Sequence, residues 1–206
     1  MRDARKRWDR NARWFDWMTA LQERAAYVRE TKREMLGGLS GRILELGAGT
    51  GNNFKFYAPE ARVIAVDLSG EMLSRARIKG AGSSAKISLI QADIECLPFA
   101  DATFDTVVST CVFCSVSDPV SGLSETRRVL ASKGLFHLFE HVLSKNPVLA
   151  FFMNLMNPMA RLIGPEINRD TASHLKRVGL NIFHEKNVRY DIFKRFDARR
   201  SDTLES

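Results

Sequence analysis

The 206-residue sequence predicts a doubly wound α/β fold with a mostly parallel sheet. Three observations support this prediction: short apolar runs alternate with helix-like segments, a glycine-rich turn follows the first apolar run, and two strand-like runs lie close together near the C-terminus. Apolar strands separated by helices form a parallel sheet that is covered on both faces. A chain of this length is expected to form one domain with one core.

Five apolar runs predict the strands of the parallel part of the sheet. Each is rich in Val, Ile, Leu or Phe and is bounded by polar or turn residues. Helices are predicted over 70–79 and 119–130, and Asp118 is a suitable N-cap for the second helix. The predicted strands cover 43–46, 62–66, 86–90, 104–109 and 135–139.

The two C-terminal runs, 181–190 and 191–199, are joined too closely for a helical crossover. Parallel strands need a crossover of a dozen or more residues, whereas antiparallel strands need only a short turn. We therefore expect an antiparallel hairpin at one edge of the sheet.

The apolar and cysteine patterns exclude some classes of protein. The N-terminus MRDARKRWDR is charged and no apolar stretch follows it, so we expect no signal peptide and a cytoplasmic location. Residues 147–163 are interrupted by polar residues and fall short of the roughly 18 uninterrupted apolar residues of a spanning helix. The cysteines are expected to be free thiols: Cys96, Cys111 and Cys114.

The formal charge of +7 is concentrated at both ends of the chain. Residues 1–35 hold ten Lys or Arg against six Asp or Glu, residues 161–206 hold ten against seven, and the middle is balanced. Basic ends can attract the phosphate groups of a nucleic acid. They can equally attract those of an anionic membrane, to which the protein would then bind peripherally. A solvated face without any partner explains the charge equally well.

The glycine-rich turn lies in RILELGAGTGNNFKFY, residues 42–57. A dinucleotide-binding turn would need glycine at position 52, which is Asn52. Asp67 ends the next predicted strand, where a carboxylate can accept two hydrogen bonds from a ribose. Glycines let the backbone approach a ligand closely, although they are also typical of a tight strand-to-helix turn. The pattern consists of Glu45, Gly47, Gly49 and Gly51.

Polar residues also follow the later strands. Asp93 follows the third strand, where its carboxylate can accept a hydrogen bond from an adenine amine, and Ile94 can pack on the ring. Thr110 follows the fourth strand and His141 follows the fifth. The carboxyl ends of parallel strands form the expected ligand crevice of such a fold.

Several motifs together carry a resemblance to a known family: ELGAGTG, VD at 66–67, AD at 92–93, LPFADATFDTVVST and RRVLASKG. Over residues 41–141 the chain resembles the class I S-adenosylmethionine-dependent methyltransferases. The resemblance implies a seven-stranded Rossmann-like sheet with a reversed last strand, and S-adenosyl-L-methionine as the cofactor.

Within that family, three branches are the most similar: UbiE-like quinone methylases, bacterial phosphatidylethanolamine N-methyltransferases and thiol methyltransferase-like proteins. GNNFKFY at 51–57, TCVFCSV at 110–116 and the end of the fifth strand at 140–142 resemble the third. No NPPY-type tetrapeptide follows the fourth strand, which disfavours methylation of a nucleic-acid base.

The resemblance also implies which residues surround the cofactor. The first group lies around its methionine part: Glu45, Gly47, Ala48, Gly49 and Gly51. Asp67 would hold the ribose, and Asp93 and Ile94 would contact the adenine. The same cofactor site is expected to include Leu68, Met72 and Thr110.

The chemistry needs few catalytic residues because a sulfonium methyl group is already activated, so positioning carries much of the rate. If the acceptor is an amine or a thiol, its proton must leave, and His141 is the candidate base. A structural His141 that bonds a loop carbonyl is the alternative. Cys111 and Cys114 are expected to line a pocket, and no metal site is expected because no second ligand pair is present.

Two segments are candidates for the acceptor side. Residues 7–18 place Trp8, Phe15 and Trp17 among arginines, which suits a helix at a membrane interface or one that caps the cofactor. Packing on its own domain is an equal alternative. Residues 149–164 carry three methionines and two adjacent phenylalanines, and are expected to wall an apolar acceptor pocket.

We therefore predict one methyltransferase domain over 1–206, with a helical cap at 1–35, a cofactor-binding core at 36–142, and acceptor-side helices and the hairpin at 143–206. The predicted acceptor is a lipid-like or hydrophobic small molecule, with a phospholipid amine favoured and a thiol or quinone as alternatives. RNA or protein methylation is less favoured because no room remains for a binding module. A non-catalytic cofactor-binding subunit is a third class, against which Asp67 and Asp93 argue.

Overall fold

The computed structural model describes residues 2–201, and within them the side chains of residues 4–161 and 164–201. The helices are α1 (Arg2–Arg24), α2 (Ala26–Leu36), α3 (Gly70–Ala81), α4 (Pro119–Val129), α5 (Pro147–Ile163) and α6 (Thr171–Arg177), with a short 3-10 turn at Phe54–Phe56. The strands are β1 (Arg42–Leu46), β2 (Arg62–Asp67), β3 (Lys86–Gln91), β4 (Phe104–Thr110), β5 (Leu130–His141), β6 (Leu180–Arg189) and β7 (Phe193–Arg200).

The seven strands form one sheet in the order β3-β2-β1-β4-β5-β7-β6. The first five strands pair in parallel, and β7 lies antiparallel between β5 and β6. This confirms the predicted fold class, including the antiparallel C-terminal hairpin at the edge. The order reverses at β1, which pairs with both β2 and β4, so the crevice between the carboxyl ends of β1 and β4 is where such folds bind ligands.

The predicted elements agree with the structure except at their ends. The fifth strand begins at Leu130 rather than at 135, because Leu130 pairs with Phe104 before a register shift between Phe104 and Thr106. Helix α4 begins after Asp118, whose side chain accepts hydrogen bonds from the amides of Val120 and Ser121, as the predicted N-cap requires.

Two apolar clusters fill the two faces of the sheet. One cluster includes Phe113, Phe136 and Leu138, and the other includes Ile43 and Phe139. Adjacent residues of β5 therefore enter opposite clusters, as expected for a strand that is buried on both faces. Because β5 is packed on both faces, the positions of Glu140 and His141 at the end of the strand are fixed.

The predicted cap at 1–35 contains α1 and α2, while residue 1 and residues 202–206 of the predicted domain lie outside the described part of the chain. Among residues 2–201, no helix is both long and apolar enough to cross a membrane.

Candidate active site

A cavity of about 350 Å³ lies at the carboxyl ends of the central strands, under α1. This volume is within the range of small-molecule and cofactor pockets. Ten of the predicted site residues line it: Gly47, Ala48, Gly49, Asp67, Leu68, Met72, Asp93, Ile94, Thr110 and His141. The loops after five different strands therefore meet at one site.

The turn after β1 follows the floor of the cavity and requires glycine. Gly47 has φ +62° and Gly49 has φ +54°, in the left-handed region that side chains disfavour. A Cβ at Gly47 would lie 2.5 Å from Cγ2 of Val112, so the turn after β1 and the loop after β4 are in close contact. The glycine turn is therefore fixed by packing as well as by backbone conformation.

Asp67 joins this turn to the end of β2. Its Oδ2 accepts the amide hydrogen of Gly49 at 2.8 Å, and its Oδ1 accepts that of Ser69 at 2.9 Å. Burial raises the pKa of Asp67, and these backbone hydrogen bonds act in the opposite direction. Each carboxylate oxygen can accept a second hydrogen bond, so Asp67 retains capacity for two hydroxyl donors.

Glu45 does not line the cavity but lies beneath it, fully buried. Its oxygens accept hydrogen bonds from Asn53 Nδ2 at 2.8 Å and from the Tyr57 hydroxyl at 2.9 Å. Burial raises the pKa of Glu45 to about 7. Asn53 does line the cavity, and its Oδ1 is buried without a hydrogen-bond partner among the described residues. Glu45 thus orients Asn53, which the sequence analysis did not identify.

Gly51 is also outside the cavity lining. It has φ +83°, and a Cβ there would lie 2.6 Å from Cε2 of Phe54, so this glycine allows the turn to pack on the buried Phe54 ring. Its role in the structure is to shape the turn.

The loop after β3 forms another wall of the cavity. Asp93 and Ile94 lie there, close to Leu68 and Met72 in the cavity lining. Asp93 Oδ1 accepts the amide hydrogen of Glu95 at 2.9 Å, which orients its carboxylate. An apolar side chain beside an oriented carboxylate suits a flat heteroaromatic amine.

The loop after β4 is held in place by Glu140 of β5. One oxygen of Glu140, Oε1, accepts hydrogen bonds from Ser109 Oγ at 2.9 Å, from the Val112 amide at 3.0 Å and from the Phe113 amide at 3.2 Å. Oε2 is buried and has no partner among the described residues. Burial raises the pKa of Glu140 to about 7. Sequence analysis had assigned no role to this residue.

Cys111 and Cys114 line the cavity on the same loop. Burial raises the pKa of the Cys111 thiol well above its usual value and that of Cys114 to about 12, and the nearby Glu140 adds to both effects. Neither thiol is therefore an activated nucleophile. Both act as small apolar side chains of the cavity wall.

His141 ends β5 and lines the cavity. Its ring packs edge-on against Phe193, with ring centroids 4.9 Å apart. Burial lowers the pKa of His141, and a backbone hydrogen bond at Ile167 opposes this effect. Nδ1 has no hydrogen-bond partner among the described residues. Burial therefore favours the neutral imidazole, one nitrogen of which can accept a proton.

Helix α1 covers the cavity, as a helix that caps the cofactor would, and it also packs on its own domain. Both arrangements were predicted as alternatives. Trp8 and Phe15 enter the cavity lining, whereas Trp17 is 79% exposed. Polar contacts attach the helix: the Ser69 hydroxyl donates to Asp9 at 2.6 Å, and Lys79 donates to Asp16 at 2.9 Å. The remaining cavity residues of α1 recur at helical spacing, a signal that the sequence analysis did not use: Ala4, Thr19, Gln22 and Glu23.

Helix α5 differs from the prediction for residues 149–164. None of its described side chains lines the cavity, and only Pro165 and Ile167, which follow the helix, do so. The reason is that α5 turns polar side chains inward: Asn157 Oδ1 accepts the amide hydrogen of Ile167 at 2.9 Å. Most of its apolar side chains are exposed instead.

The strand order, the glycine turn and the carboxylates after β2 and β3 define an α/β protein with a cofactor cavity at its topological switch point. Solved structures share this fold. An S-adenosylmethionine-dependent methyltransferase of Thermotoga maritima has a TM-score of 0.70 and 18% identity, over 95% of this chain and 99% of that chain.

Sequence comparisons lead to the family. The methyltransferase domain family matches residues 44–138. The human thiol S-methyltransferase TMT1A is 31% identical over 73% of this chain and 67% of its own length, and human TMT1B is 34% identical over 66% and 61%. The phosphatidylethanolamine N-methyltransferase of Cereibacter sphaeroides is 37% identical over 53% of this chain and 56% of its own length. The chain belongs to the class I S-adenosylmethionine-dependent methyltransferases.

The chain spans only about three fifths of the length of TMT1B. Family membership implies S-adenosylmethionine as the methyl donor, and the cavity fits this molecule in three respects. The unpartnered Asn53 Oδ1 matches an ammonium donor, Asp67 can accept hydrogen bonds from a ribose, and Gly47 and Gly49 line the cavity without side chains.

Proposed function

We propose that the protein transfers a methyl group from S-adenosylmethionine to a hydrophobic small molecule that bears a thiol. The observation that carries the proposal is His141, whose imidazole lines the cavity, whose buried Nδ1 has no partner among the described residues and whose pKa burial lowers. The similarity to the thiol S-methyltransferases TMT1A and TMT1B supports the same choice of acceptor.

The acceptor would lie in the apolar half of the cavity. Val112, Phe139, Ile167 and Phe193 line this half next to His141. Phe139 and Phe193 are stacked, with ring centroids 5.9 Å apart. These side chains exclude water and favour an apolar acceptor over a hydrated one.

The pKa of the base favours a thiol. A thiol of the cysteine type ionises near pKa 8.5 and an alkylammonium group of the lysine type near 10.4, so such a thiol is roughly two pKa units closer to an imidazole. Burial lowers the pKa of His141, which disfavours proton transfer from either group equally, so the preference comes from the acceptors' own pKa values. We therefore prefer a thiol to the phospholipid amine that the sequence analysis favoured.

In this mechanism each residue has a defined task. When bound, S-adenosylmethionine supplies an electrophilic methyl group on a sulfonium centre. Asn53 would hold the methionine end of the cofactor, Asp67 would hold its ribose, and Asp93 and Ile94 would hold its adenine. The His141 imidazole would accept the thiol proton as the sulfur takes the methyl group, and the aromatic wall would position the acceptor.

A phospholipid amine is the second candidate. It is supported by the similarity to the phosphatidylethanolamine N-methyltransferase of Cereibacter sphaeroides and by the exposed apolar side chains of α5. Such an acceptor would enter the same cavity from a membrane surface.

A methyl-transfer assay distinguishes these acceptors. The purified protein is incubated with methyl-labelled S-adenosylmethionine and, separately, with an apolar ester of N-acetylcysteine, with phosphatidylethanolamine vesicles and with a demethylated quinol. We expect label in the thioether. His141→Ala should lower kcat for the thiol on the order of a hundredfold, with an unchanged Kd for S-adenosylmethionine.

His174→Ala is the matched control, since His174 belongs to α6 and does not line the cavity. It should leave kcat unchanged. Label in phosphatidylethanolamine but not in the thiol would replace the thiol by the amine, and a protein that does not bind S-adenosylmethionine would refute the proposal as a whole.

A further inference from the structure

A buried ion pair forms part of the cavity wall. Lys32 of α2 is 3% exposed, and its Nζ donates to both carboxylate oxygens of Glu23 in α1, at 2.7 and 2.9 Å. Both residues line the cavity. A lysine is almost never fully buried unless it is paired, so Glu23 is the partner that allows Lys32 to lie there. The proposed methyl transfer gives neither residue a task.

Lys32 is the one Lys or Arg that lines the cavity within the described part of the chain. The acidic side chains in the same wall outnumber it: Glu23, Asp67, Asp93 and Glu95. S-adenosylmethionine carries a carboxylate on its methionine part, and a carboxylate that leaves water for such a wall needs a cation. Lys32 is therefore the side chain with which that carboxylate can pair.

Lys32 also lies on the methionine side of the cavity. Burial raises the pKa of Glu45, and the Lys32 ammonium group is among the groups that act in the opposite direction, so the two charges are close. Glu45 accepts a hydrogen bond from Asn53, whose Oδ1 matches the ammonium group of the methionine. The carboxylate and the ammonium group of an amino acid share one carbon atom, so the residues that bind them must be neighbours. Lys32 and Asn53 meet this condition around Glu45.

The carboxylate of the cofactor and that of Glu23 would compete for one ammonium group. An ammonium group has three donors, and Glu23 accepts from Lys32 with both of its oxygens. Two carboxylates that share a buried site repel each other. A buried charge that loses its partner is strongly destabilising, so Lys32 must exchange one carboxylate for another rather than lose both.

Glu23 has other cations within its surroundings. A second cavity, of about 340 Å³, also has Glu23 in its wall. We call it the basic pocket, after the four cations that line it: Arg24, Arg29, Lys55 and Lys79. Lys79 is paired with Asp16 at 2.9 Å, whereas the other three cations form no ion pair within the described ranges. A carboxylate that leaves Lys32 therefore has positive charge to turn to.

A joint between two helices lies close to the ion pair. Helix α1 ends at Arg24 and α2 begins at Ala26, and Ala25 between them is extended, with φ −60° and ψ 132°. Hinges in proteins are usually a few residues at the ends of such elements. Because Glu23 and Lys32 lie on opposite sides of this joint, a change of partner at Glu23 acts on α1, the helix that covers the cavity.

We infer that Lys32 binds the methionine carboxylate of S-adenosylmethionine, and that Glu23 competes for this site and turns to the basic pocket when the cofactor binds. Glu23 is then an internal competitor of the cofactor, and the end of α1 responds to the cofactor's carboxylate. The inference concerns the cofactor alone, so it holds for a thiol, an amine or any other methyl acceptor.

Isothermal titration calorimetry with the full chain tests the inference. The two ligands are S-adenosylmethionine and its decarboxylated form, which keeps the sulfonium and ammonium groups and lacks the carboxylate. Lys32→Met should raise the Kd for S-adenosylmethionine roughly tenfold to a hundredfold, because a hydrogen bond between charged groups is lost. Glu23→Gln removes the competing charge at equal size and should lower that Kd about tenfold. Both variants should leave the Kd for the decarboxylated form nearly unchanged.

Arg29→Gln tests the role of the basic pocket. It should raise the Kd for S-adenosylmethionine about threefold, because Glu23 loses an exposed partner, and it should have no effect in the Glu23→Gln background. Glu95→Gln is the matched control for Glu23→Gln, since Glu95 lines the same cavity and forms no ion pair within residues 2–201 as described. It should leave the ratio of the two Kd values unchanged.

The outcomes decide each part of the inference. If Lys32→Met weakens both ligands equally, or neither, the carboxylate binds elsewhere and the inference is wrong. An unchanged or raised Kd for S-adenosylmethionine in Glu23→Gln would show that Glu23 does not compete, and an equal effect of Arg29→Gln with and without Glu23 would exclude the basic pocket.

A second variant covers the case in which Lys32→Met does not fold. Lys32→Met combined with Glu23→Gln leaves no unpaired charge, and it should bind S-adenosylmethionine at least tenfold more weakly than Glu23→Gln alone. Equal affinities would overturn the inference. None of these measurements uses methyl transfer, so a failed thiol assay with the expected Kd values overturns only the proposed function.

Discussion

Glu45 and Glu140 are two fully buried carboxyl groups near the ends of β1 and β5, and burial raises the pKa of each to about 7. Their surroundings differ. Both oxygens of Glu45 accept a hydrogen bond, from Asn53 and from Tyr57. Glu140 receives three donors on Oε1 and has no partner among the described residues on Oε2.

The difference separates two regions of the site. The glycine-loop side comprises residues 45–57 with Asp67, and Glu45 bonds there to residues only 8 and 12 positions away. The β5 side comprises residues 110–114 with 140–141, and Glu140 reaches 31 positions back to Ser109. The first region is a local motif whose polar groups are close in sequence, whereas the second exists only once distant strands have paired.

The largest effect should come from Asp67→Ala, which tests whether cofactor affinity belongs to the glycine-loop side. Loss of two hydrogen bonds to a charged group costs about 3 to 6 kcal/mol, so the Kd for S-adenosylmethionine should rise on the order of a thousandfold. Isothermal titration calorimetry measures it. Glu60→Ala, at an exposed carboxylate outside the cavity, should bind normally. Equal losses of affinity in Asp67→Ala and His141→Ala would erase the distinction between the two regions.

The next effect concerns pH and Glu140. The unfolded chain releases this proton near pH 4.5 and the folded chain near pH 7, so between these values the unfolded state binds fewer protons and stability falls as pH rises. The loss from one such group is on the order of 3 kcal/mol. Glu140→Gln keeps an acceptor for the three donors and removes the charge.

Urea unfolding at pH 5 and pH 8 measures this effect. The wild type should lose stability between the two values, and Glu140→Gln should lose less by on the order of 3 kcal/mol. Asp101→Asn, at an exposed carboxylate, serves as the control. Parallel curves for the wild type and Glu140→Gln would show that Glu140 is not ionised by pH 8.

A smaller effect is expected where the two regions touch. Gly47→Ala would place a Cβ 2.5 Å from Val112 at a φ of +62°, which should cost about 2 kcal/mol of folding stability. Gly38→Ala has open space and should be nearly neutral. Adding Val112→Ala to Gly47→Ala should restore part of the melting temperature, leaving the backbone strain. An additive double variant would mean that the two regions do not press on each other.

The smallest effect is expected when one oxygen of Glu45 is left without a hydrogen-bond donor, as Oε2 of Glu140 already is. Tyr57→Phe leaves one oxygen of Glu45 without its donor and should cost about 1 kcal/mol. Chemical denaturation at pH 8 measures the loss. Tyr190→Phe, at a side chain that is 69% exposed, is the control. A neutral Tyr57→Phe would indicate that Glu45 tolerates an unpartnered oxygen as Glu140 does.

The sequence predicted the first strand, the glycine turn and the position of Asp67 because their signals are local, although Glu45 and Gly51 do not line the cavity and Asn53 was missed. The strand before Gly47, the turn itself and Asp67 lie within 26 residues, and each has a residue type that its backbone or ligand role demands. The strands of the parallel sheet were predictable for the same reason, since the polar residues on either side of each short apolar run mark where the strand begins and ends.

The β5 side and the helices could not be predicted in this way. The role of Glu140 depends on donors from β4 that only strand pairing brings near, and the role of Asn53 depends on the burial of Glu45. Helix α5 was expected to face inward because apolar residues normally do. Its buried Asn157 faces inward through a contact to the amide of 167, which periodicity does not reveal.

Strand β7 has a consequence for synthesis on the ribosome. It pairs with both β5 and β6, and its Phe193 packs against Phe139 and His141. The end of β7 follows His141 by 59 residues, so β5 is synthesised about 3 to 12 s before its partner strand at about 5 to 20 residues per second. Until β7 follows β5 out of the ribosome, the emerged chain has an open β5 edge, and chaperone capture of the newborn protein should be greatest then.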